Sequence, residues 1–220
     1  MLSFAAMAVN VAEQEFVRPP FGLIPGLEVQ SIPKGKMLFS QGDPVKRATF
    51  IFDGVVLLEY QREPKRETRG RNDFFRLIPA EGLVGYEAFM ERVPKHLTSA
   101  KAITPLVVQH IPLERVNHLL LNPNIRGAVT NALLGGLMQS NEQAGDMRTM
   151  GTAEGYLAID AVLETILQLR SQYPTFPSLV QEVVAGLVGT SRESTNKRIR
   201  QLEEKGSPLA AAVRPPRTFF

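Results

Sequence analysis

The stretch Ala185-Gly-Leu-Val-Gly-Thr-Ser-Arg-Glu-Ser-Thr-Asn-Lys-Arg-Ile-Arg-Gln-Leu-Glu203 constrains the fold more than any other part of this chain. Leading into it, Leu179, Val183, Val184, Leu187 and Val188 recur at helical spacing. Gly189 then breaks the run, and Thr190 or Ser191 is placed to cap a second helix. Glycine at the break permits positive φ at little steric cost. In the second helix Thr195, Ile199 and Leu202 fall at i, i+4 and i+7 and form an inward stripe, with Glu193, Lys197 and Arg200 roughly opposite. Two short helices joined by a glycine turn, the second with a polar and mostly basic outer face, predict a helix-turn-helix.

Such a helix enters the major groove when apolar residues hold it on its domain and polar side chains in its N-terminal half reach base edges. Arginine and lysine donate to guanine, glutamate accepts from cytosine and asparagine pairs with adenine, so Arg192, Glu193, Asn196 and Lys197 are the candidate base contacts. Ser178, Ser191, Arg198 and Arg200 are the candidate phosphate contacts. The competing reading for Glu193 is the acid of a Thr190-x-x-Glu193 capping box.

Charge agrees with a nucleic-acid partner. The whole chain carries only +3, but from Arg192 onward Arg192, Lys197, Arg198, Arg200, Lys205, Arg214 and Arg217 face only Glu193, Glu203 and Glu204. A local excess of this kind attracts phosphate and makes binding fall with salt. With 220 residues, 44% of them hydrophobic, the chain can bury one good core or two modest ones. It has no cysteine, which excludes disulfides, thiolate-held metals and cysteine redox sensing and is compatible with a cytoplasmic location. The opening twelve residues are mildly apolar but lack a basic start and run into Glu13 and Glu15, unlike a secretion signal. No run approaches the roughly 18 apolar residues of a membrane span, so no membrane partner is expected.

Between about Phe21 and Pro112, short apolar runs at Lys36 to Phe39, Thr49 to Phe52, Val55 to Tyr60, Phe74 to Ile78 and Val107 to Ile111 are separated by turn residues. Regular spacing of this kind predicts a β sandwich or barrel. Gly35, Gly42, Gly54, Gly82 and Gly85 mark the turns, and the charged segment Arg62 to Arg71 reads as an exposed hairpin tip. From Leu113 the period becomes helical through Ala144. Two seams are open, one through Leu134, Leu137, Asn141 and Ala144 and one through Leu133, Leu137, Ser140 and Ala144. Either is a short dimerisation stripe, and in the first a buried Asn141 would set register; the alternative is a helix packed on its own β domain. Gly145 to Gly155 reads as a hinge, and Ala158 to Tyr173 as a further amphipathic helix.

A β sandwich, a connecting helix and a C-terminal helix-turn-helix together resemble the cyclic-AMP receptor protein and fumarate–nitrate regulator family. The resemblance runs from about Pro33 to Lys205. It rests on Gly35, Leu38-Phe39, Gly42-Asp43, Phe50-Ile51 and Gly54-Val55 in the β region, and on Gly189-Thr-Ser-Arg-Glu193 against the family's Gly-x-Ser-Arg-Glu run. It implies an α+β chain in four parts. Residues 1–20 form a tail, 21–113 a cyclic-nucleotide-binding-like jelly roll, 114–150 a dimerisation helix and hinge, and 151–220 a winged helix-turn-helix. It also implies a homodimer on a palindromic double-stranded operator and RNA polymerase as a partner.

Three departures qualify the resemblance. Where cyclic-AMP-binding members hold the ribose with glycine–glutamate and the phosphate with arginine–serine, this chain has Gly85-Tyr86 and His96-Leu97. A degenerate pocket of this composition speaks against cyclic AMP and for an unidentified effector or none. In the reading helix, Lys197 stands for the family's second arginine and Thr195 for its buried aliphatic residue. After Leu202, the tail from Gly206 is rich in alanine and proline where the family has a two-stranded wing, and Pro208, Pro215 and Pro216 cannot donate to a ladder.

The rival classes are weaker. A jelly-roll enzyme needs clustered imidazole and carboxylate ligands, and His96, His110 and His118 lack the spacing of a ligand set, so no metal, cofactor or catalysis is expected. A member acting mainly through protein–protein contact would keep the fold and show little DNA sequence preference.

Overall fold

The computed structural model describes residues 24, 26–61, 74–90, 93–123, 126–127, 129–130 and 153–213. The chain divides into a β unit, residues 15–139, and a helical unit made of residues 140–220 with residues 1–14.

The β unit contains β1 (Val29–Ile32), β2 (Met37–Phe39), β3 (Arg47–Asp53), β4 (Val56–Tyr60), β5 (Phe74–Ile78), β6 (Leu83–Val84), β7 (Ser99–Ala102) and β8 (Leu106–Pro112). They form two antiparallel four-stranded sheets, ordered β1-β8-β3-β6 and β2-β7-β4-β5. All the strand runs read from sequence are present. The additional strands β1, β6 and β7 escape a search for apolar runs because they are short or built of small and polar residues, as Ser99-Ala-Lys-Ala102 is. In β7 the alternation is nonetheless strict: Ala100 and Ala102 are fully buried against β4.

Between the sheets, Ile51, Val56, Leu58, Ile78, Val84, Ala100, Ala102, Leu106 and Val108 form the core. A second cluster lies on the other face of the first sheet, where Ala48 and Ile111 meet Ile24, Val45, Ala88 and Val116. Burial on both faces explains why β3 has four consecutive buried residues, Ala48 to Ile51, instead of an alternating pattern. Gln109, also buried, satisfies its amide by accepting from Ile24 N at 2.9 Å and donating to the carbonyls of Ile24 and Leu27.

Helix α1 (Leu113–Leu120) follows β8 directly and belongs to this unit, since Val116 is part of the second cluster. The segment expected to carry the dimer seam therefore begins as a helix packed on the β domain. Leu133, Leu134, Leu137, Asn141 and Ala144 lie outside the described residues, as do the 1–20 tail and the Arg62 to Arg71 tip.

The helical unit consists of α2 (Ala153–Gln172), α3 (Gln181–Val188), α4 (Arg192–Glu204) and a 3-10 turn at Pro208–Ala212. α2 starts at Ala153, so Ala153 to Gly155 of the segment read as a hinge are helical, and residues 145–152 of it lie outside the described residues. Ile159, Leu163 and Ile166 of α2, Val184, Leu187 and Val188 of α3, and Ile199 and Leu202 of α4 are buried here. The unit is a small bundle in which each helix contributes one apolar stripe.

The expectation of a winged helix-turn-helix is corrected in its last part. No strand follows α4 among the described residues. Gly206 turns the chain and Ser207 Oγ accepts from Leu209 N, starting the 3-10 turn in which Ala210 and Ala212 are buried. Arg170 of α2 donates to Ala211 O at 2.8 Å, which fixes that turn to the bundle. Proline at the first position and three alanines favour a compact turn where a strand would need a free ladder donor.

Candidate nucleic-acid interface and effector region

The turn between α3 and α4 is made as the sequence requires. Gly189 adopts φ 79, ψ 25, a left-handed conformation that glycine enters without strain, and Thr190 N closes back onto Ala185 O at 2.9 Å. Ser191, not Thr190, caps α4, its Oγ accepting from Ser194 N at 3.1 Å. This overturns the Thr190–Glu193 capping-box reading, because the residue three beyond the cap is Ser194. Glu193 is thereby left exposed in the first turn of α4.

The inward stripe is as expected: Thr195, Ile199 and Leu202 are buried. Thr195, standing where an aliphatic residue was expected, satisfies its hydroxyl by donating to Ser191 O at 3.1 Å. On the opposite face Glu193, Lys197 and Arg200 are exposed, and Arg192 is exposed in the first turn of α4. Glu193, Lys197 and Arg200 share one side of α4, and Arg192 stands at its capped N-terminus, the end that a groove-reading helix turns to the bases.

Two expected contacts differ. Arg198 is not a free cation: its Nε donates to Asp160 Oδ1 of α2 at 2.8 Å, a second bond joins Nη2 to Asp160 Oδ2, and Tyr156 lies under the guanidinium at 5.3 Å. Both side chains of the pair are only 17% exposed. The Asp160 bond pushes the Arg198 guanidinium pKa up, and the residue ties α4 to α2 instead of facing phosphate. Asn196 is half-buried, and its Oδ1 is buried without a hydrogen-bond partner, so it flanks the reading face instead of lying on it. Ser178 is exposed ahead of α3 and accepts from Arg170 Nη2 at 2.6 Å, whereas the Ser191 hydroxyl serves the cap.

The effector region of the β unit is built on Gly85 and the 3-10 turn Tyr86–Phe89 that follows it. Gly85 has φ 70, and a side chain there would meet Arg47 O at 3.0 Å and the rings of His96 and Phe39 at 3.4 Å. The four expected pocket residues do not converge on one opening. His96 is 4% exposed, stacked on Phe39 with ring centroids 3.8 Å apart, while Leu97 is 46% exposed. His96 therefore corrects the expectation of a ligand-facing donor: its ring is used in packing.

The residue that the sequence reading missed is Glu87, one beyond Tyr86 and 1% exposed. Its Oε1 accepts from Leu97 N at 2.8 Å, and its Oε2 lies 3.5 Å from His96 Nδ1 with neither of those two atoms hydrogen-bonded. A signal was present, since an acid within a short apolar turn started by glycine is unusual in a core. Its partner, however, is reached only through the loop to His96. Burial, and next the Glu87 charge, push the Tyr86 phenol up, with Arg76 acting in the opposite direction.

No family model matches the chain. A CRP-like cAMP-activated global transcriptional regulator of Mycobacterium tuberculosis is 23% identical over 189 residues, which cover 82% of this chain and 79% of that relative. Among solved structures, the c-di-GMP-responsive global regulator CLP of Xanthomonas campestris matches with a TM-score of 0.60 and 16% identity, over 90% of this chain and 92% of its own. A Crp/Fnr-family transcriptional regulator of Thermus thermophilus matches with a TM-score of 0.57 and 20% identity, over 81% and 87%. The chain carries the fold of the cyclic-AMP receptor protein and fumarate–nitrate regulator family, and these relatives in sequence and structure are that family's transcription regulators.

Proposed function

We propose that the protein is a sequence-specific, DNA-binding transcription regulator of the Crp/Fnr type that works in the cytoplasm as a homodimer on a palindromic operator and does not require cyclic AMP. The observation that carries this reading is the exposure of Arg192, Glu193, Lys197 and Arg200 on a helix held by a glycine turn and a serine cap. Arg192, Glu193 and Lys197 read bases, and Arg200 and Ser178 hold phosphates. Two copies present two such helices to half-sites about 34 Å apart, and RNA polymerase is the partner through which binding alters transcription.

Independence from cyclic AMP is supported by the β unit's own residues. Tyr86 and Leu97 lack the carboxylate and hydroxyl that ribose and phosphate would need, and the Phe39–His96 stack fills the space beside Gly85. The relative in Mycobacterium tuberculosis is cAMP-activated by name, so the comparison between the two chains is itself a test. The 3-10 turn in place of a wing favours one second reading, a member that acts chiefly by protein–protein contact.

Selection from random double-stranded DNA by the purified full chain, with solution mass recorded alongside, tests both. A palindromic motif bound by a dimer, unchanged by added cyclic AMP, is the expected result. Enrichment only when cyclic AMP is present would overturn the effector assignment. No enrichment with or without a metabolite extract would favour the protein-contact reading.

A further inference from the structure

Strand register places one cation on the wrong side of its sheet. Leu58 of β4, a core residue 4% exposed, lies opposite Arg76 on β5 and opposite Ala100 on β7. Directly opposed residues of antiparallel strands share a face, so Arg76 shares the inner face of the β unit with Leu58 and Ala100. Its neighbours two residues away along β5 are Phe74 and Ile78, both apolar. Burial pushes its guanidinium pKa down, with the Tyr86 phenol the one group that opposes this.

Arg76 has no counter-ion among the described residues. Asp160 pairs with Arg198, Glu87 lies against His96, and Arg76 makes no hydrogen bond or ion pair among the described residues. Glu87, the acid of the neighbouring 3-10 turn, is turned to Leu97 N and His96. Glu59, next to Leu58 on β4, is on the opposite face and accepts from Gln61. A desolvated guanidinium without an anion is costly to a fold, and a bound oxyanion is what removes that cost.

We propose that Arg76 is the anion-holding residue of a ligand site inside the β unit, where its guanidinium fork pairs with the carboxylate or phosphate of a small organic anion. Tyr86 supplies a second donor, since its raised phenol stays protonated at neutral pH. The site lies on a strand away from His96 and Leu97, so the charge that receives a ligand has moved relative to the positions where the family resemblance looks for it. That occupancy regulates DNA binding rests on the function proposed above; binding itself does not.

The test is thermal melting of the full chain, without DNA, in chloride, phosphate or succinate at equal ionic strength. One of the two oxyanions is expected to raise the melting temperature of the parent chain, and which one does so distinguishes phosphate from carboxylate ligands. In Arg76→Met, half-saturation should be weakened about tenfold or more, with a smaller loss in Tyr86→Phe. In chloride, Arg76→Met should melt no lower than the parent, because it removes a half-buried charge that has no counter-ion among the described residues. A melting temperature several degrees lower in chloride would mean that Arg76 has a structural partner, and would overturn the proposal. So would equal shifts in parent and Arg76→Met, or no shift by either oxyanion in the parent. DNA selection on the same variants reports separately on the reading helix.

Discussion

Glu87 and Glu193 each follow a left-handed glycine turn within a few residues, yet the fold treats them in opposite ways. Glu193 stands in the exposed first turn of α4 beside Arg192 and Lys197, whereas Glu87 is buried in the β unit with Leu97 N and His96 as its surroundings. In α4 the charge faces outward, where a polyanion can meet it; in the β unit Glu87, His96 and Arg76 are drawn toward the interior, where only the protein or a small ligand can. A charge turned outward shows in DNA affinity and salt dependence, and a charge turned inward shows in stability.

The widest separation is expected from the two glutamates themselves. Glu87→Ala leaves Leu97 N without its acceptor and a gap beside His96, at a cost of about 2–4 kcal/mol in chemical denaturation. Glu193→Ala should change stability by no more than about 0.5 kcal/mol while altering the selected DNA motif. Equal stability losses would end the contrast.

That contrast also accounts for what could be read in the sequence. The helix-turn-helix was legible because its determinants are local: Gly189, a serine cap and the Thr195, Ile199 and Leu202 stripe lie within fourteen positions and follow helical periodicity. Inward and outward faces follow from spacing alone. The β unit's strands were legible where apolar runs exist, but Ser99–Ala102 carries no such run, and its small side chains make sense only against β4. Glu87 and Arg76 were missed for the same reason, since their neighbours come from strand register and from a loop that returns near His96. Arg198 was misread because nothing local marks Asp160, thirty-eight residues earlier, as its partner.

Arg198 sharpens the comparison next, being a cation on the reading helix that behaves like one of the β unit's. Arg198→Ala should cost about 1–3 kcal/mol of stability, less than a fully buried pair because both side chains retain some exposure. A double-mutant cycle with Asp160→Ala should show coupling of roughly 1 kcal/mol, and the salt slope of DNA binding should stay unchanged. Arg200→Ala is the matched control: it should lower the salt slope by about one unit and leave stability within about 0.5 kcal/mol. If the two arginines exchanged these behaviours, the ion pair would not hold in solution.

Arg192→Ala is expected to relax one base position by about 1–3 kcal/mol of discrimination, read as a loss of preference at a single column of the selected motif, with melting unchanged. An even loss across all columns would place Arg192 on phosphate and move the base contacts further along α4.

The smallest effect belongs to His110 on β8. Burial, with the Arg47 charge second, pushes its pKa down to about 4 from the ordinary 6.5, and Thr49 Oγ1 lies 2.9 Å from its Nδ1. Between those two values the unfolded chain holds a proton that the folded chain does not. The stability tied to neutral His110 is therefore complete above about pH 6.5, declines as pH falls toward about 4, and changes no further below it. The ring is only partly buried, and solvent screening reduces the contribution to about 1 kcal/mol. Denaturation across that window should show this decline in the parent and a flatter profile in His110→Gln, which keeps a polar group beside Thr49 but cannot titrate. An identical decline in both would assign the acid sensitivity to another group. The helical unit contains no histidine, so the part of the decline that His110→Gln abolishes belongs to the β unit.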